Sequence, residues 1–134
     1  MYEMKDEYLT GIEQIDREHR RLFEIAEEVY QLRQNPYIPD KYDNIQDVLL
    51  ELKDYTIEHF AHEEEYMESI QYKHMFMQKV QHDEFRDKLE QLGLEDLDKI
   101  SSDEVIDEIL SFLTDWLVNH ILHTDKLIGD VVNS

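Results

Sequence analysis

The sequence predicts an all-α fold, an antiparallel up-down-up-down four-helix bundle with an N-terminal arm. The 134-residue chain contains only three glycines and two prolines, so few residues interrupt helices. Long stretches carry apolar residues at helical rather than alternating spacing, and the connections between them are short, which makes neighbouring helices antiparallel. We expect residues 1–134 to form a single domain around one core, because the length is that of one ordinary domain. Tyr2 or Tyr8 is expected to pack the arm onto the bundle.

The first two predicted helices cover about residues 11–35 and 40–69. Thr10 and Glu13 have the spacing of a capping box at the start of the first helix, and Asn35 with the following proline ends it. The apolar stripe of the first helix consists of Ile12, Ile15, Leu22, Ala26 and Val29. The stripe of the second consists of Ile45, Val48, Leu49, Leu52, Tyr55, Thr56 and Phe60. Each helix therefore presents one face to a common core.

Two further helices are predicted in the second half of the chain. The third covers about residues 73–92 and gives way to a loop at Gly93, and Ser101 with Glu104 forms a second capping box that starts the fourth. The stripe of the third helix carries Phe85, Leu89 and Leu92. The stripe of the fourth carries Ile106, Ile109, Leu113, Trp116, Leu117 and Leu127. These two helices complete the bundle.

The composition excludes several classes of function. Thirty-three acidic and thirteen basic side chains leave a net charge of −20, which repels nucleic acid and anionic membranes and favours a metal cation or a basic protein surface. The chain has no cysteine, so any metal would be bound by histidine, carboxylate or amide groups rather than by thiolates. The sequence shows neither a secretory leader nor an apolar run long enough to cross a membrane. We therefore expect a cytoplasmic protein.

Polar side chains continue the apolar stripe of every helix. They are His19 in the first helix, His59 and Glu63 in the second, Gln78 and His82 in the third, and His120 and Thr124 in the fourth, with Asp125 on the flank. Burying the Glu63 carboxylate without a partner would cost several kcal/mol. No lysine or arginine lies on the inner stripes, whereas four imidazoles do, and imidazole is a common ligand of iron, zinc and copper. The pattern predicts a metal site inside the bundle.

Each of these residues alone has a more ordinary interpretation. A single inward histidine such as His19 is more often a hydrogen-bonded core residue than a metal ligand, and Asp125 alone would be a surface carboxylate. His62 and His123 fall on outer faces by helical phase and are expected to be solvated. His74 lies one turn before Gln78 and stays ambiguous, because one turn is a displacement of about 5 to 6 Å along the axis. Only the coincidence on all four helices favours the metal site.

Four segments in order, GIEQIDREH, HFAHEEEYM, HDEF and WLVNHILHTD, resemble the bacterial hemerythrin domain over nearly the whole chain. Domains of this family are four-helix bundles whose non-haem di-iron centre binds dioxygen reversibly. The resemblance implies two iron ions bridged by two carboxylates and an oxo or hydroxo group. The implied ligands are His19 and His59 on one iron, His82 and His120 on the other, and Glu63 and Asp125 as the bridging carboxylates.

Gln78 departs from the family pattern, which has a histidine at this position, four residues before the one matching His82. A glutamine carbonyl oxygen can ligate a metal ion but is a weaker donor than imidazole, and the amide nitrogen cannot ligate. The iron that has three histidines in the family would have two here, with the Gln78 carbonyl or a water in the third place. The sequence therefore predicts a weakened or open coordination position.

The leading functional prediction is binding of dioxygen, or of a related small molecule such as nitric oxide, for storage, delivery or sensing. The chain contains no Glu-x-x-His pair, the mark of ferritin-like di-iron proteins. A histidine-rich site with two carboxylates carries less negative charge and should disfavour high-valent iron, so binding is expected rather than enzymatic turnover. One alternative is a di-iron enzyme of peroxidase, oxidase or nitric-oxide-reducing type that uses the position loosened by Gln78. Another is a metal-storage or zinc-stabilised helical module.

Overall fold

A computed structural model describes residues 4–92 and 102–132, and no strand occurs in these two ranges. The helices are α1 (Glu13–Gln34), α2 (Lys41–Ser69), α3 (Met75–Leu92), α4 (Asp103–His120) and α5 (Lys126–Val132), with a short 3₁₀ turn (Asp6–Tyr8) before α1 and a π-helical turn (Ile121–Asp125) between α4 and α5. The predicted all-α four-helix bundle is confirmed. The described ends of α1, α2 and α3 fall close to the predicted ones.

Neighbouring helices run in opposite directions. On α1, Glu18 contacts His59 of α2, and one turn further along α1 the side chain of Arg21 contacts Glu51, which lies earlier on α2. The same reversal relates the other neighbours through paired contacts, namely Phe60–Phe85 and Glu63–His82 between α2 and α3, and His82–His120 and Phe85–Trp116 between α3 and α4. The four inward histidines consequently come to one level of the bundle.

The apolar stripes of the four helices meet in one main core. Residues from each helix, such as Ile25, Leu49, Leu89 and Ile106, are almost completely buried. A smaller apolar cluster closes one end of the bundle and consists of Ile12, Ile15, Met67, Tyr72 and Ile128. The polar residues of the inner stripes lie between these two clusters, so they are enclosed by apolar packing on both sides.

The fourth stripe was predicted wrongly beyond His120. Leu127 is 48% exposed, whereas Ile128 is fully buried. The π-helical turn places one extra residue in the helix, which rotates every later side chain relative to a continuous α-helix. The inward position expected for Leu127 is therefore occupied by Ile128.

The predicted capping box at the start of α1 is also wrong. The N-cap residue is Ile12, and its side chain makes no capping hydrogen bond. Instead, the Asp16 carboxylate accepts hydrogen bonds from the Thr10 backbone N–H and hydroxyl, each at 2.8 Å, and from the Gly11 N–H at 3.0 Å. A carboxylate in the first helical turn also interacts favourably with the helix dipole. Asp16, one turn inside the helix, thus has the role that was predicted for Glu13.

At the start of α4, the capping residue is Ser102, whose side-chain oxygen accepts a hydrogen bond from the Val105 N–H at 3.3 Å. The predicted box with Ser101 and Glu104 cannot be followed there, because Ser101 lies outside the described residues. The described cap nevertheless starts the helix at the expected part of the chain.

The segment before α1 packs against the bundle. Tyr8 is buried and stacks on Phe23 of α1 with 5.5 Å between ring centroids, while Tyr2 lies outside the described residues. The backbone of Thr10 lies against Gly129 of α5, where an added Cβ would come within 1.9 Å of the Thr10 carbonyl oxygen. A glycine at this position is therefore what allows the N-terminal segment to cross α5.

Candidate metal centre

The π-helical turn brings Asp125 into the bundle. His120 and Asp125 are five residues apart and would point in different directions on an ideal α-helix, yet both are buried, with His120 Nε2 at 3.0 Å from Asp125 Oδ1. The wider turn restores a common direction for residues five apart. Asp125, predicted on the flank of the stripe, is therefore fully enclosed, and Thr124, predicted on the stripe, lies at its edge.

Six of the predicted residues form one buried cluster of potential metal ligands. One group contains His19, His59, Glu63 and Asp125, and a second contains Glu63, His82 and His120, and within each group the ligand atoms lie within 4.8 Å of one another. Every helix of the bundle contributes to the cluster. Glu63 belongs to both groups, so the two groups adjoin inside the bundle.

The two carboxylates each face both pairs of histidines. Glu63 Oε2 lies 3.1 Å from His59 Nε2 and 3.7 Å from His19 Nε2, whereas Glu63 Oε1 lies 3.2 Å from His82 Nε2 and 3.7 Å from His120 Nε2. Asp125 repeats the arrangement, since its Oδ2 lies 3.0 Å from His19 Nε2 and its Oδ1 lies 3.0 Å from His120 Nε2. One oxygen of each carboxylate thus points to each half of the cluster.

Several polar atoms in the cluster are buried without a hydrogen-bond partner. They are both ring nitrogens of His19, Nδ1 of His82, both oxygens of Glu63, Oδ2 of Asp125 and Oε1 of Gln78. Atoms about 3 Å apart that are not oriented for hydrogen bonding have the spacing of adjacent ligands on one metal ion, each roughly 2.1 Å from it. No lysine or arginine is among the buried polar residues of the described chain. The donor set therefore fits a metal cation.

In the metal-free cluster, electrostatic interactions favour protonated histidines and ionised carboxylates. Burial lowers the pKa of His59, but the carboxylates of Glu18 and Glu63 outweigh this effect and raise the pKa to about 10. Burial likewise lowers the pKa of His120, and the negative charge of Asp125 outweighs it and raises the pKa to about 9. The surrounding histidines hold the pKa of Glu63 well below its usual range despite the opposing effect of burial. Without metal, protons on His59 and His120 balance the negative charge of the carboxylates.

Gln78 is fully buried beside the cluster. Its Nε2 donates a hydrogen bond to Asp125 Oδ1 at 3.2 Å, and its Oε1 has no hydrogen-bond partner. The amide nitrogen, which cannot ligate a metal, thus faces the cluster, and the hydrogen-bonding capacity of the carbonyl oxygen is unused. His74, which was ambiguous in the sequence, is exposed and packs at right angles to the Tyr72 ring with 5.7 Å between ring centroids, so it does not belong to the cluster.

Two polar residues outside the predicted set hold histidines of the cluster. Glu18 of α1 contacts Nδ1 of His59 at 2.9 Å and Nδ1 of His62 at 2.6 Å, and Gln81 of α3 contacts Nδ1 of His120 at 2.8 Å. His62 was expected to be solvated, but its side chain is only 37% exposed. Such partners orient a ligating imidazole and select the nitrogen that faces the metal. Each directly precedes an inward histidine in the sequence, which was the available signal.

Aromatic rings cover one side of the cluster. Phe60 stacks on His82 with 3.9 Å between ring centroids, and Trp116 stacks on His120 with 4.5 Å between them. His123, in contrast, is exposed, as its helical phase predicted. The stacked rings restrict the rotation of the two imidazoles and exclude water from their faces.

Comparison with known proteins agrees with this geometry. A family model described as the hemerythrin HHE cation binding domain matches residues 10–132. The chain belongs to the hemerythrin family. A bacteriohemerythrin of Clostridium acetobutylicum is 44% identical over 126 residues, which cover 94% of this chain and 97% of that protein. The resemblance drawn from the four sequence segments is thereby confirmed.

More distant relatives extend the match. A bacteriohemerythrin of Pseudomonas aeruginosa is 31% identical over 128 residues, covering 96% of this chain and 79% of the relative. One of Methylococcus capsulatus is 28% identical over 132 residues, covering 96% of this chain and 93% of the relative. Family membership implies non-haem iron binding, for which the buried cluster supplies suitable ligands. None of the helices in the described parts of the chain is long and apolar enough to cross a membrane.

Proposed function

We propose that this protein binds two non-haem iron ions and, through them, reversibly binds dioxygen or a related molecule such as nitric oxide for storage, delivery or sensing. The observation that carries the proposal is the direction of the two buried carboxylates. Glu63 and Asp125 each turn one oxygen toward the histidines of one half of the cluster and the other oxygen toward the second half. This arrangement suits carboxylates that bridge two metal ions.

These distances support the following ligands. His19 and His59 would hold one iron and His82 and His120 the other, while Glu63 and Asp125 would each offer one oxygen to either iron. Gln78 donates to Asp125 Oδ1, the oxygen that faces His120, so its amide lies on the side of the second iron, where its carbonyl oxygen or a water would complete the ligand set. That iron then has one imidazole fewer than its counterpart in the family, because an amide oxygen or a water, each a poorer donor, stands in place of the third histidine.

The ligand composition supports binding rather than oxidation of a substrate. Four neutral imidazoles and two carboxylates compensate less positive charge than a carboxylate-rich site does, which disfavours high oxidation states of iron. Ferrous iron supplies the electron density that binds dioxygen. The protein contributes a buried, apolar surrounding in which Phe60 and Trp116 limit the access of water.

An apolar cavity lies one helical turn from the histidines. Its lining includes one residue three positions from each of the four inward histidines, and the lining consists of Leu22, Ala26, Leu52, Thr56, Phe85, Leu113, Thr114 and Leu117. The hydroxyls of Thr56 and Thr114 donate to carbonyl oxygens of their own helices at 2.6 and 2.8 Å, so they are already satisfied. The cavity has a volume of about 10 Å³, near the lower limit for one water molecule, so it is a small gap in the apolar packing beside the histidines.

The test is reversible oxygenation of the iron-loaded protein. We expect a visible absorption band that forms when the reduced protein meets oxygen and disappears under vacuum over repeated cycles. Glu65→Gln should leave this band unchanged, because Glu65 is an exposed carboxylate on the same helix as Glu63. Steady consumption of oxygen or peroxide without a reversible band would refute oxygen carriage and favour an enzyme. A colourless, zinc-filled protein would refute the iron centre.

A further inference from the structure

Gln81 of α3 lies where it contacts both ends of the π-helical turn. Its Oε1 is 2.8 Å from His120 Nδ1, and it accepts a hydrogen bond from the Thr124 hydroxyl at 3.0 Å. His120 immediately precedes the turn, and Thr124 immediately precedes Asp125 at its end. We propose that Gln81 is a positioning residue that holds His120 and Asp125 in the geometry required by the metal. This inference rests on the proposed function, since it concerns the same metal centre.

The contact with Gln81 determines which nitrogen of the His120 ring faces the centre. The Oε1 atom of Gln81 can only accept hydrogen bonds, so His120 Nδ1 must carry the proton. In the neutral imidazole, Nε2 then keeps its lone pair, and this atom faces Asp125 at 3.0 Å and Glu63 at 3.7 Å. Gln81 thereby selects the tautomer whose free nitrogen points into the centre.

Gln81 also contacts the π-helical turn through Thr124. A π-helical turn is less favourable than a regular α-helix and persists where other contacts hold it. Without this turn, Asp125 would lie on the flank of the helix rather than inside the bundle. Thr124 and His120 are both bound to the same oxygen atom of Gln81, so the side chain spans the turn from α3. The contact therefore favours the backbone conformation that directs Asp125 inward.

The hydrogen-bond partner of His120 differs from that of His59 in the other half of the cluster. There, the Nδ1 atom of His59 faces the Glu18 carboxylate at 2.9 Å, whereas His120 Nδ1 faces a neutral amide. A carboxylate partner makes an imidazole a stronger donor than an amide partner does. His120 is therefore the weaker donor of these two histidines, and its orientation depends on a single amide oxygen. Loss of Gln81 should consequently affect the metal position that contains His120.

The experiment uses zinc, which is diamagnetic, so that metal affinity and histidine tautomers are measured in one preparation. Gln81→Leu removes the acceptor while keeping a similar side-chain size, and we expect the zinc ion held by His120 to bind about 10- to 100-fold more weakly in chelator competition. Gln81→Glu retains an acceptor oxygen and supplies a carboxylate partner, so it should hold the ion at His120 at least as tightly as the native protein does. Gln91→Leu is the matched control, since Gln91 is an exposed glutamine on the same helix. It should leave both affinities unchanged.

Nitrogen NMR of the histidine rings separates positioning from a general structural effect. In the native zinc protein, we expect His120 to carry its proton on Nδ1 and to bind through Nε2, and in Gln81→Leu we expect this Nδ1–H signal to lose its hydrogen-bonded shift. Thr124→Val should lower the affinity for the same zinc ion by a smaller factor than Gln81→Leu does. If Gln81→Leu does not fold, Gln81→Asn decides by the same two measurements, because it is one methylene too short to reach both partners.

The outcomes distinguish this inference from the proposed function. Native protein that binds fewer than two metal ions would refute the proposed two-metal centre. Native protein that binds two ions, while Gln81→Leu binds both as tightly and with an unchanged His120 signal, would overturn the role of Gln81 alone. Equal weakening by Gln81→Leu and Gln91→Leu would also overturn it, since the effect would then not depend on the contact with His120.

Discussion

Replacing Glu63 tests the proposed bridge through the residue with the most contacts in the cluster. Its side chain is fully buried, and its two oxygens lie 3.1 to 3.7 Å from the Nε2 atoms of four histidines. Glu63→Gln keeps the size of the side chain and removes its charge. Removing one partner of a buried charged interaction costs about 3 to 5 kcal/mol, which is roughly 10²- to 10⁴-fold in metal affinity at about 1.4 kcal/mol per tenfold. Glu63→Ala should bind metal more weakly still, because it also leaves a void.

The assay is competition with a chromophoric chelator, combined with metal analysis after gel filtration. We expect Glu63→Gln to lose at least one of the two metal ions under conditions in which native protein keeps both. Glu65→Gln, on an exposed position of the same helix, should behave like the native protein. If Glu63→Ala keeps two irons with an unchanged optical spectrum, the assignment of Glu63 as a bridging ligand is wrong.

Three further predictions concern individual histidines and Gln78. Gln78→His should tighten the iron bound by His120 and slow the decay of the oxygenated band, because an imidazole replaces a weaker donor, as measured by chelator resistance and optical decay. His123→Ala should change the free energy of unfolding by no more than about 0.5 kcal/mol. His62→Ala should lower it by about 1 kcal/mol, because it removes a partly exposed contact with Glu18. His120→Ala should lose metal. Metal affinity should rise with pH until about pH 9 to 10, since the metal displaces protons from His120 and His59.

The stability of the metal-free protein should also depend on pH. The folded-state pKa values of His59, about 10, and His120, about 9, lie above the ordinary value of 6.5. Protonated imidazoles therefore stabilise the metal-free fold fully below about pH 6.5, and this stabilisation is lost as pH rises through 9 to 10. Thermal unfolding of metal-free protein from pH 6 to 10 measures it. A melting temperature that rises across this range, or a metal affinity independent of pH, would contradict the arrangement.

Two results would contradict the roles given to Gln78 and His120. If native protein holds both irons as tightly as Gln78→His and its oxygenated form lasts as long, the third imidazole is unnecessary at that iron. Replacement of His74, which is exposed, should not alter this comparison. Equal loss of metal in His120→Ala and His123→Ala would mean that the helical phases assigned around the π-helical turn are wrong.

Helical periodicity was sufficient to predict most of the buried cluster. His19, His59, Glu63 and His82 continue apolar stripes at spacings of three and four residues, and the structure places all four inside the bundle. The reason is that α1, α2 and α3 are regular helices through the cluster, so one phase describes each of them. Gln78 was predicted inward on the same basis and is also buried.

The end of the fourth helix could not be predicted in this way. One extra residue in the π-helical turn moves Asp125 from the flank to the interior and Leu127 from the interior to the surface. Helical periodicity assumes a regular α-helix and so does not predict a π-helical turn, and the turn contacts α3 through the hydrogen bond that Thr124 donates to Gln81. The sequence alone does not show these contacts between distant parts of the chain.

The partners of the histidines were missed for a related reason. Glu18 and Gln81 lie beside the apolar stripes, where a polar residue is normally solvated, and helical phase does not separate a flanking position from an exposed one. Each becomes buried or half-buried only because an imidazole from another helix lies against it. His62 was expected to be solvated for the same reason, and its contact with Glu18 depends on the packing of α1 against α2.

The most direct test of the two-iron centre is the metal content of protein produced in iron-rich medium, measured together with its optical spectrum. We predict two irons per chain and a visible band that depends on oxygen and disappears when Glu63 is replaced by alanine. Fewer than two metal ions per chain in native protein, or two ions of a colourless metal that iron does not replace, would contradict the proposed centre.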